Sequence, residues 1–88
     1  MKTGDFGFAI RAVKHGCKIA RAGWNGKNQH VELAHSFSYK TCRGEVINAE
    51  HEEIGNNALV FVGTSGTQVG WLASQADMLA DDWYVVED

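Results

Sequence analysis

The chain has 88 residues, room for one small domain with a thin core. Its composition (44% hydrophobic, 22% charged, ten glycines, no proline) excludes a disordered chain, and no apolar stretch approaches the length of a membrane span. The formal charge of −3 conceals two opposed halves: residues 1–44 carry eight basic and two acidic side chains, net +6, whereas residues 45–88 carry nine acidic and no basic ones, net −9.

Asp5 is suited to cap a helix over about residues 6–15. Phe6, Ala9, Ile10 and Val13 form its apolar stripe, and Gly16 ends it behind Lys14 and His15. Phe8 lies off the stripe and is expected to be more exposed than Phe6. Lys18–Arg21 alternates as a short strand, with Ile19 and Arg21 on one side and Ala20 on the other. Asn25-Gly26 marks a turn, since both residues tolerate positive φ. Gln29–Ala34 returns as a strand with Val31 and Leu33 on one face.

Residues 35–57 are the least patterned. Phe37 and Tyr39 alternate with polar neighbours as a strand would; the rest reads as loop or short irregular structure. Ala58–Val62 is an apolar strand, Thr64–Thr67 a hairpin turn and Gln68–Leu72 the returning strand. Ser74 then caps a short helix, with Asp77 completing a capping box and Ala76, Leu79 and Ala80 as its inner face. Trp83–Val86 is the last strand. This order predicts a single α+β domain over residues 1–88: an antiparallel β-sheet with one N-terminal helix packed on it and a short helical turn before the last strand.

Catalytic signatures fail one by one. His51-Glu52-Glu53-Ile54 opens like a zinc-protease helix, but Gly55 stands where the second His is required. His30, His35, Cys42 and His51 match no standard metal spacing, and no phosphate loop or nucleophile elbow is present. Asp77, Asp81 and Asp82 read as helix-terminal and surface charge. Two cysteines, Cys17 and Cys42, are too few for a disulfide scaffold. We therefore expect no enzyme, no metal and no cofactor. With no signal peptide legible in Met1–Phe8, the cytosol is the expected compartment.

Recognition chemistry remains. Trp24 stands between Gly23 and Gly26, with the Asn25 amide and the Lys27 cation beside it. An aromatic platform with an amide and a cation suits a nucleotide, since base stacking contributes about 1–3 kcal/mol. The same Trp equally fits a core or interface anchor. Ser74, Gln75 and Asp77 open a helix, where unpaired N–H groups favour an anion, or they simply cap it. Arg21 and Lys27 are phosphate candidates by charge.

Phe6-Gly7, the run Ile19-Ala20-Arg21-x-Gly23-Trp24-Asn25-Gly26-Lys27, and the run Trp71-Leu72-x-Ser74-Gln75-Ala76-Asp77-Met78-Leu79-Ala80-x-Asp82-Trp83 resemble the Thoeris anti-defence proteins of the second type, a phage family. The likeness covers roughly residues 4–33 and 58–87. It implies a non-enzymatic sponge, active in the bacterial cytosol. Such a protein holds a cyclic ADP-ribose isomer made by a TIR-domain defence enzyme, and in some members cyclic dinucleotides, in pockets between protomers of a homotetramer. On that resemblance Trp24 is the stacking aromatic, Asn25 a polar contact from the same turn, and Gln75 and Asp77 contributors from the second motif. Met78, Leu79, Trp71 and Trp83 look like core or interface residues. Ala73 stands where the family often has Pro, Phe8 where a charged residue is common, and residues 34–57 match nothing in the pattern.

The size argument agrees, because so small a chain needs a neighbour to enclose a nucleotide. The two charge blocks then suit a small anionic ligand and self-association; duplex nucleic acid and membrane are not expected partners. The other reading is a protein-binding module or inhibitor with Phe8, Trp24 and Trp83 as interface anchors.

Overall fold

The computed structural model describes residues 2–24, 28–35, 38–48 and 57–87. The Asn25–Lys27 turn, Phe37 and the acidic run with His51 lie outside the described residues. Helix α1 spans Phe6–Lys14. The Asp5 carboxylate accepts the Phe8 N–H at 2.9 Å, satisfying one of the free donors of the first turn. Gly16, at φ +91°, lets the chain leave the last turn in a left-handed conformation that a side chain would oppose.

Strands β1 (Lys18–Arg21), β2 (His30–His35), β5 (Asn57–Gly63), β6 (Gly66–Val69) and β7 (Trp83–Val86) form one antiparallel sheet, in the order β6-β5-β2-β1-β7. Strands β3 (Ser38–Lys40) and β4 (Val46–Asn48) pair separately as a hairpin. Strand β3 overlaps the strand expected around Phe37 and Tyr39, whereas β4 lies where loop is expected. Thr41 closes its turn, accepting the Glu45 N–H on Oγ1 at 3.1 Å and the Gly44 N–H on its carbonyl at 2.9 Å. A short helix, α2 (Gln75–Leu79), precedes β7. The molecule is thus α+β, as its element order predicts. No helix among the described residues is long and apolar enough to cross a membrane.

The pleat decides what each face carries. Ile19, Val31 and Trp83 point beneath α1, where with Ala9 and Val13 they are buried to 1% exposure or less. Leu33, Leu59 and Phe61 extend this inner face under partial cover. The return of β6 departs from the predicted register. Its pairing begins at Gly66, directly after a two-residue turn, and ends at Val69. There the Gly70 and Trp71 N–H groups both donate to the Leu59 carbonyl, each at 2.9 Å, with Gly70 at φ +82°. Two residues opposing one is a β-bulge; it turns Trp71 onto the inner face beside Phe61.

One expectation about side chains changes. Phe6 and Phe8 are both partly buried, and the Phe8 ring lies across Gly4, where an added Cβ would come within 2.7 Å. The predicted inner face of α2 is confined to Ala80: Ala76 is exposed and Leu79 is 72% exposed. Five residues make barely more than one turn, and the space under α2 is already filled by Trp83.

Among the described residues, Trp83 is the largest fully buried side chain. Trp83→Ala is expected to lose about 3–5 kcal/mol. That is a large share of the stability of a domain whose total lies at about 5–15 kcal/mol. A urea unfolding curve shifted by less than about 1 kcal/mol would mean that the core closes without this ring.

Candidate functional site

Two segments far apart in sequence meet at the end of β1 and the start of β7. Arg21, the last residue of β1, donates from Nε to Asp82 Oδ1 at 2.9 Å and from Nη1 to Asp77 Oδ1 at 3.0 Å. The other Asp82 oxygen accepts the Gly23 N–H at 3.0 Å, and the Asp82 carbonyl accepts the Ala22 N–H at 3.0 Å. Charge-assisted bonds of this kind are roughly twice as strong as neutral ones. The second Asp77 oxygen accepts the Ser74 N–H, while the Ser74 hydroxyl accepts the Asp77 N–H, so the predicted capping box is present. Finally the Trp83 indole N–H donates to the Asp77 carbonyl at 2.9 Å.

Electrostatics follow the geometry. The Arg21 hydrogen bond, opposed by partial burial, holds the Asp82 carboxyl below the ordinary aspartate range. For Asp77, burial pushes upward, but the Ser74 backbone and hydroxyl bonds together with Arg21 outweigh it, and the net direction is again down. Asp82 and then Asp77 raise the Arg21 guanidinium further.

Above this clamp sits a cluster of rings. Trp24 meets Phe61 and Trp83 edge-on at centroid distances of 5.4 Å and Trp71 at 6.3 Å, while Phe61 and Trp71 lie within 20° of parallel at 6.4 Å. These are favoured aromatic geometries. Trp24 is half-buried. Phe61 also lines an open cavity of about 360 Å³ beneath the β5–β6 hairpin, with Gln29, Thr67 and Gln68. Two further cavities are open as well: about 560 Å³ between Phe8, Tyr84 and Lys2, and about 210 Å³ between α1 and Leu33.

The structure therefore brings together Arg21, Trp24, Ser74 and Asp77. Gln75 is exposed on the first turn of α2, and Asn25 and Lys27 lie outside the described residues. Arg21 makes no hydrogen bond from Nη2 among the described residues, whereas both Asp77 oxygens are engaged. Sequence reasoning missed three participants. Asp82 reads as surface charge because its partners are 59 and 61 residues away. Phe61 reads as one more strand residue, and Trp71 reaches it only through the Gly70 bulge. No group of three His, Cys, Asp or Glu residues that could hold a metal ion occurs among the described residues. Cys17 is half-buried and Cys42 exposed, both free.

Residues 4–86 match the family model described as the Thoeris anti-defense 2-like domain. The chain is also 37% identical, over 94 aligned positions, to a curated protein of Bacillus phage SP01 named Thoeris anti-defense 2. That alignment covers 98% of this chain and 99% of the phage protein.

Both aspartates titrate lower in the folded chain than their ordinary value of 3.8. The stability they contribute is complete above about pH 4 and is lost as pH falls through their lower folded values. Unfolding free energies measured by urea from pH 7 to pH 2.5 should hold and then fall below about pH 4. In Arg21→Met the plateau should be lower and the acid fall shallower; an unchanged profile would mean that the clamp contributes nothing to folding.

Proposed function

The chain belongs to the Thoeris anti-defense 2-like family, and from that premise we propose that it works in anti-defence by binding a cyclic nucleotide immune signal and withholding it uncleaved. The observation that carries this reading is the half-buried Trp24, framed by Phe61 and Trp71 and locked to the start of α2 by Arg21 and Asp82. A base stacks on such an aromatic site, Gln75 and the Ser74 hydroxyl reach polar edges, and Asn25 and Lys27 follow Trp24 in the sequence. Arg21 contributes through Nη2, and Asp77 acts mainly as the junction that holds Ser74 and Arg21.

A cyclic ADP-ribose isomer from a TIR-domain enzyme is the first ligand class, with cyclic dinucleotides second. The action is sequestration in the bacterial cytosol without catalysis. Withholding a signal at nanomolar affinity requires about −12 kcal/mol, which asks for an enclosed and largely pre-formed pocket. The cavities at Phe61, at Phe8 and at Leu33 are each open to solvent, which supports a site completed by another protomer.

The outer sheet face supports self-association, with a tetramer built as a dimer of dimers. An antiparallel sheet with one wet face ordinarily turns polar residues outward. Here Val62, Val69, Tyr84 and Val86 share the face opposite α1 with Ala20 and Val60, which are already buried within the chain, by the registers Ala20↔Tyr84, Lys18↔Val86, Val60↔Val69 and His30↔Val62. No helix or further sheet packs over it among the described residues. On the same face, His30 donates from Nδ1 to the Asn28 carbonyl at 3.0 Å. Its buried Nε2, 3.8 Å from Glu32, is left without a hydrogen bond. A second copy covers the apolar residues and can bring a donor to that nitrogen.

A protein-binding reading is favoured by one feature, the exposure of Leu72 (88%) and Leu79 (72%) around α2. The anchors foreseen for it change, however. Trp83 is fully buried and is not a free surface anchor, whereas Trp24 is only partly buried.

Titration calorimetry with cyclic ADP-ribose isomers and cyclic dinucleotides tests the reading. Trp24→Ala is expected to bind at least about tenfold more weakly while the sheet stays folded, and nucleotide recovered after heat denaturation should be intact. Parent-like affinity in the folded variant would remove the stacking role; binding of Leu72 and Leu79 to a protein, with no nucleotide bound, would favour the other reading. Native mass spectrometry tests assembly: Val62→Glu is expected to reduce the parent oligomer to smaller species, and a parent that is monomeric at micromolar concentration would defeat the self-association proposal.

A further inference from the structure

The ring proposed to stack on the ligand is placed by its backbone, and that backbone has few supports of its own. Trp24 follows Gly23, and its N–H donates to the Arg21 carbonyl at 3.1 Å, closing a tight turn. Among the described residues, the other hydrogen bonds to the N–H groups of residues 22 and 23 come from one distant residue. The Asp82 carbonyl accepts the Ala22 N–H, and Asp82 Oδ2 accepts the Gly23 N–H, both at 3.0 Å. Asp82 Oδ1 meanwhile accepts Arg21 Nε, fixing the side chain that ties the same turn to Asp77 and α2.

Glycine at position 23 fits this contact. A Cβ there would lie 3.1 Å from Asp82 Oδ2, a tight contact that requires the carboxylate to give by a few tenths of an ångström. Gly23 is absent from the positive-φ glycines, so alanine is not excluded by its backbone conformation. The close approach of the carboxylate, and not an unusual turn, is what position 23 accommodates.

We infer that Asp82 is a positioning residue for the ligand site: it does not touch the ligand but sets where the Trp24 ring stands relative to the Ser74–Asp77 turn of α2. This rests on the nucleotide-binding reading for its functional consequence and on the geometry alone for its structural one. Asparagine at position 82 keeps the shape but has one acceptor oxygen and no charge, so either Gly23 or Arg21 loses its partner. Glutamate keeps the charge and both acceptors on a longer arm.

The experiment compares the parent with Asp82→Asn, Asp82→Glu and Gly23→Ala. Two readouts are used: amide hydrogen exchange at Gly23 by NMR, which needs no ligand, and calorimetric affinity for a cyclic ADP-ribose isomer. Ile19→Val, which loosens the core away from the turn, serves as the comparison for general destabilisation. Asp82→Asn is expected to speed Gly23 exchange and weaken the nucleotide about tenfold, while the amides of β2 and β5 exchange as in the parent. Asp82→Glu should recover part of both effects, and Ile19→Val should show neither. Gly23→Ala attacks the same contact from the other side and keeps the test open should Asp82→Asn fail to fold. Parent-like Gly23 exchange in Asp82→Asn overturns the inference; so does fast exchange with unchanged affinity. A parent that binds no nucleotide sinks the functional reading instead. In that case, altered exchange at Gly23 together with a shifted Trp24 indole resonance still supports the positioning role, and unaltered signals overturn it.

Discussion

Trp83 is fully buried, and bonds leave it in three directions. Its backbone exchanges N–H and carbonyl with Gly4 at 2.8 and 3.1 Å, and lies in register with Arg21 across β1. Its ring meets Phe6, Trp24 and Trp71, and its indole N–H ends on the Asp77 carbonyl. A buried indole N–H without a partner would carry the cost of a desolvated donor, so the position of α2 is coupled to the packing of the core. Few side chains in so small a chain are fully buried, and this one gives the N-terminal helix, the turn after β1 and the start of α2 a common frame.

The path of the chain explains why the candidate site lies where it does. Strand β6 is at one edge of the sheet and β7 at the other, so the connection between them must cross the end of the sheet. Gly70 starts that crossing with a bulge, Trp71 and α2 occupy it, and Asp82 ends it. The turn after β1 emerges at the same end. Local demands on the crossing, a capped helix and a satisfied indole, are met by the same atoms that hold the turn. Ser74, Asp77, Arg21 and Asp82 form a single hydrogen-bonded network, and such networks are rigid when every member is satisfied.

Elements with strong local signals were legible in the sequence. The cap at Asp5, the stripe Phe6-Ala9-Ile10-Val13, the alternation of Lys18–Arg21 and the Ser74–Asp77 box each state their structure within a few residues. The hairpin of β3 and β4 was legible only in part. Tyr39 alternates with polar neighbours, but Val46–Asn48 is three residues long and has little pattern to read. Arg21, Trp24, Ser74 and Asp77 could be singled out by type and by their motifs, yet their mutual contacts could not. An ion pair spanning 56 or 61 residues leaves no trace in spacing, and Asp82 beside Asp81 looks like any solvated acid. Leu79 misled because a helical pattern implies an inner face, and a single turn propped on a large indole has little face to bury.

The division of charge along the chain takes on a specific meaning at the clamp. Arg21 comes from the basic half, and Asp77 and Asp82 come from the acidic half, so the two blocks meet there in space. One guanidinium between two carboxylates leaves a local charge of about −1, partly buried and therefore less screened than a surface charge would be. A phosphate close to Asp77 or Asp82 would be repelled. In the proposed complex the phosphates must therefore lie away from the clamp, and the base and ribose toward the rings and α2. The same electrostatics oppose a ligand that competes for Arg21, since taking the guanidinium would leave two neighbouring carboxylates unpaired. The clamp is thus better suited to hold its shape while a nucleotide binds beside it than to open and receive one.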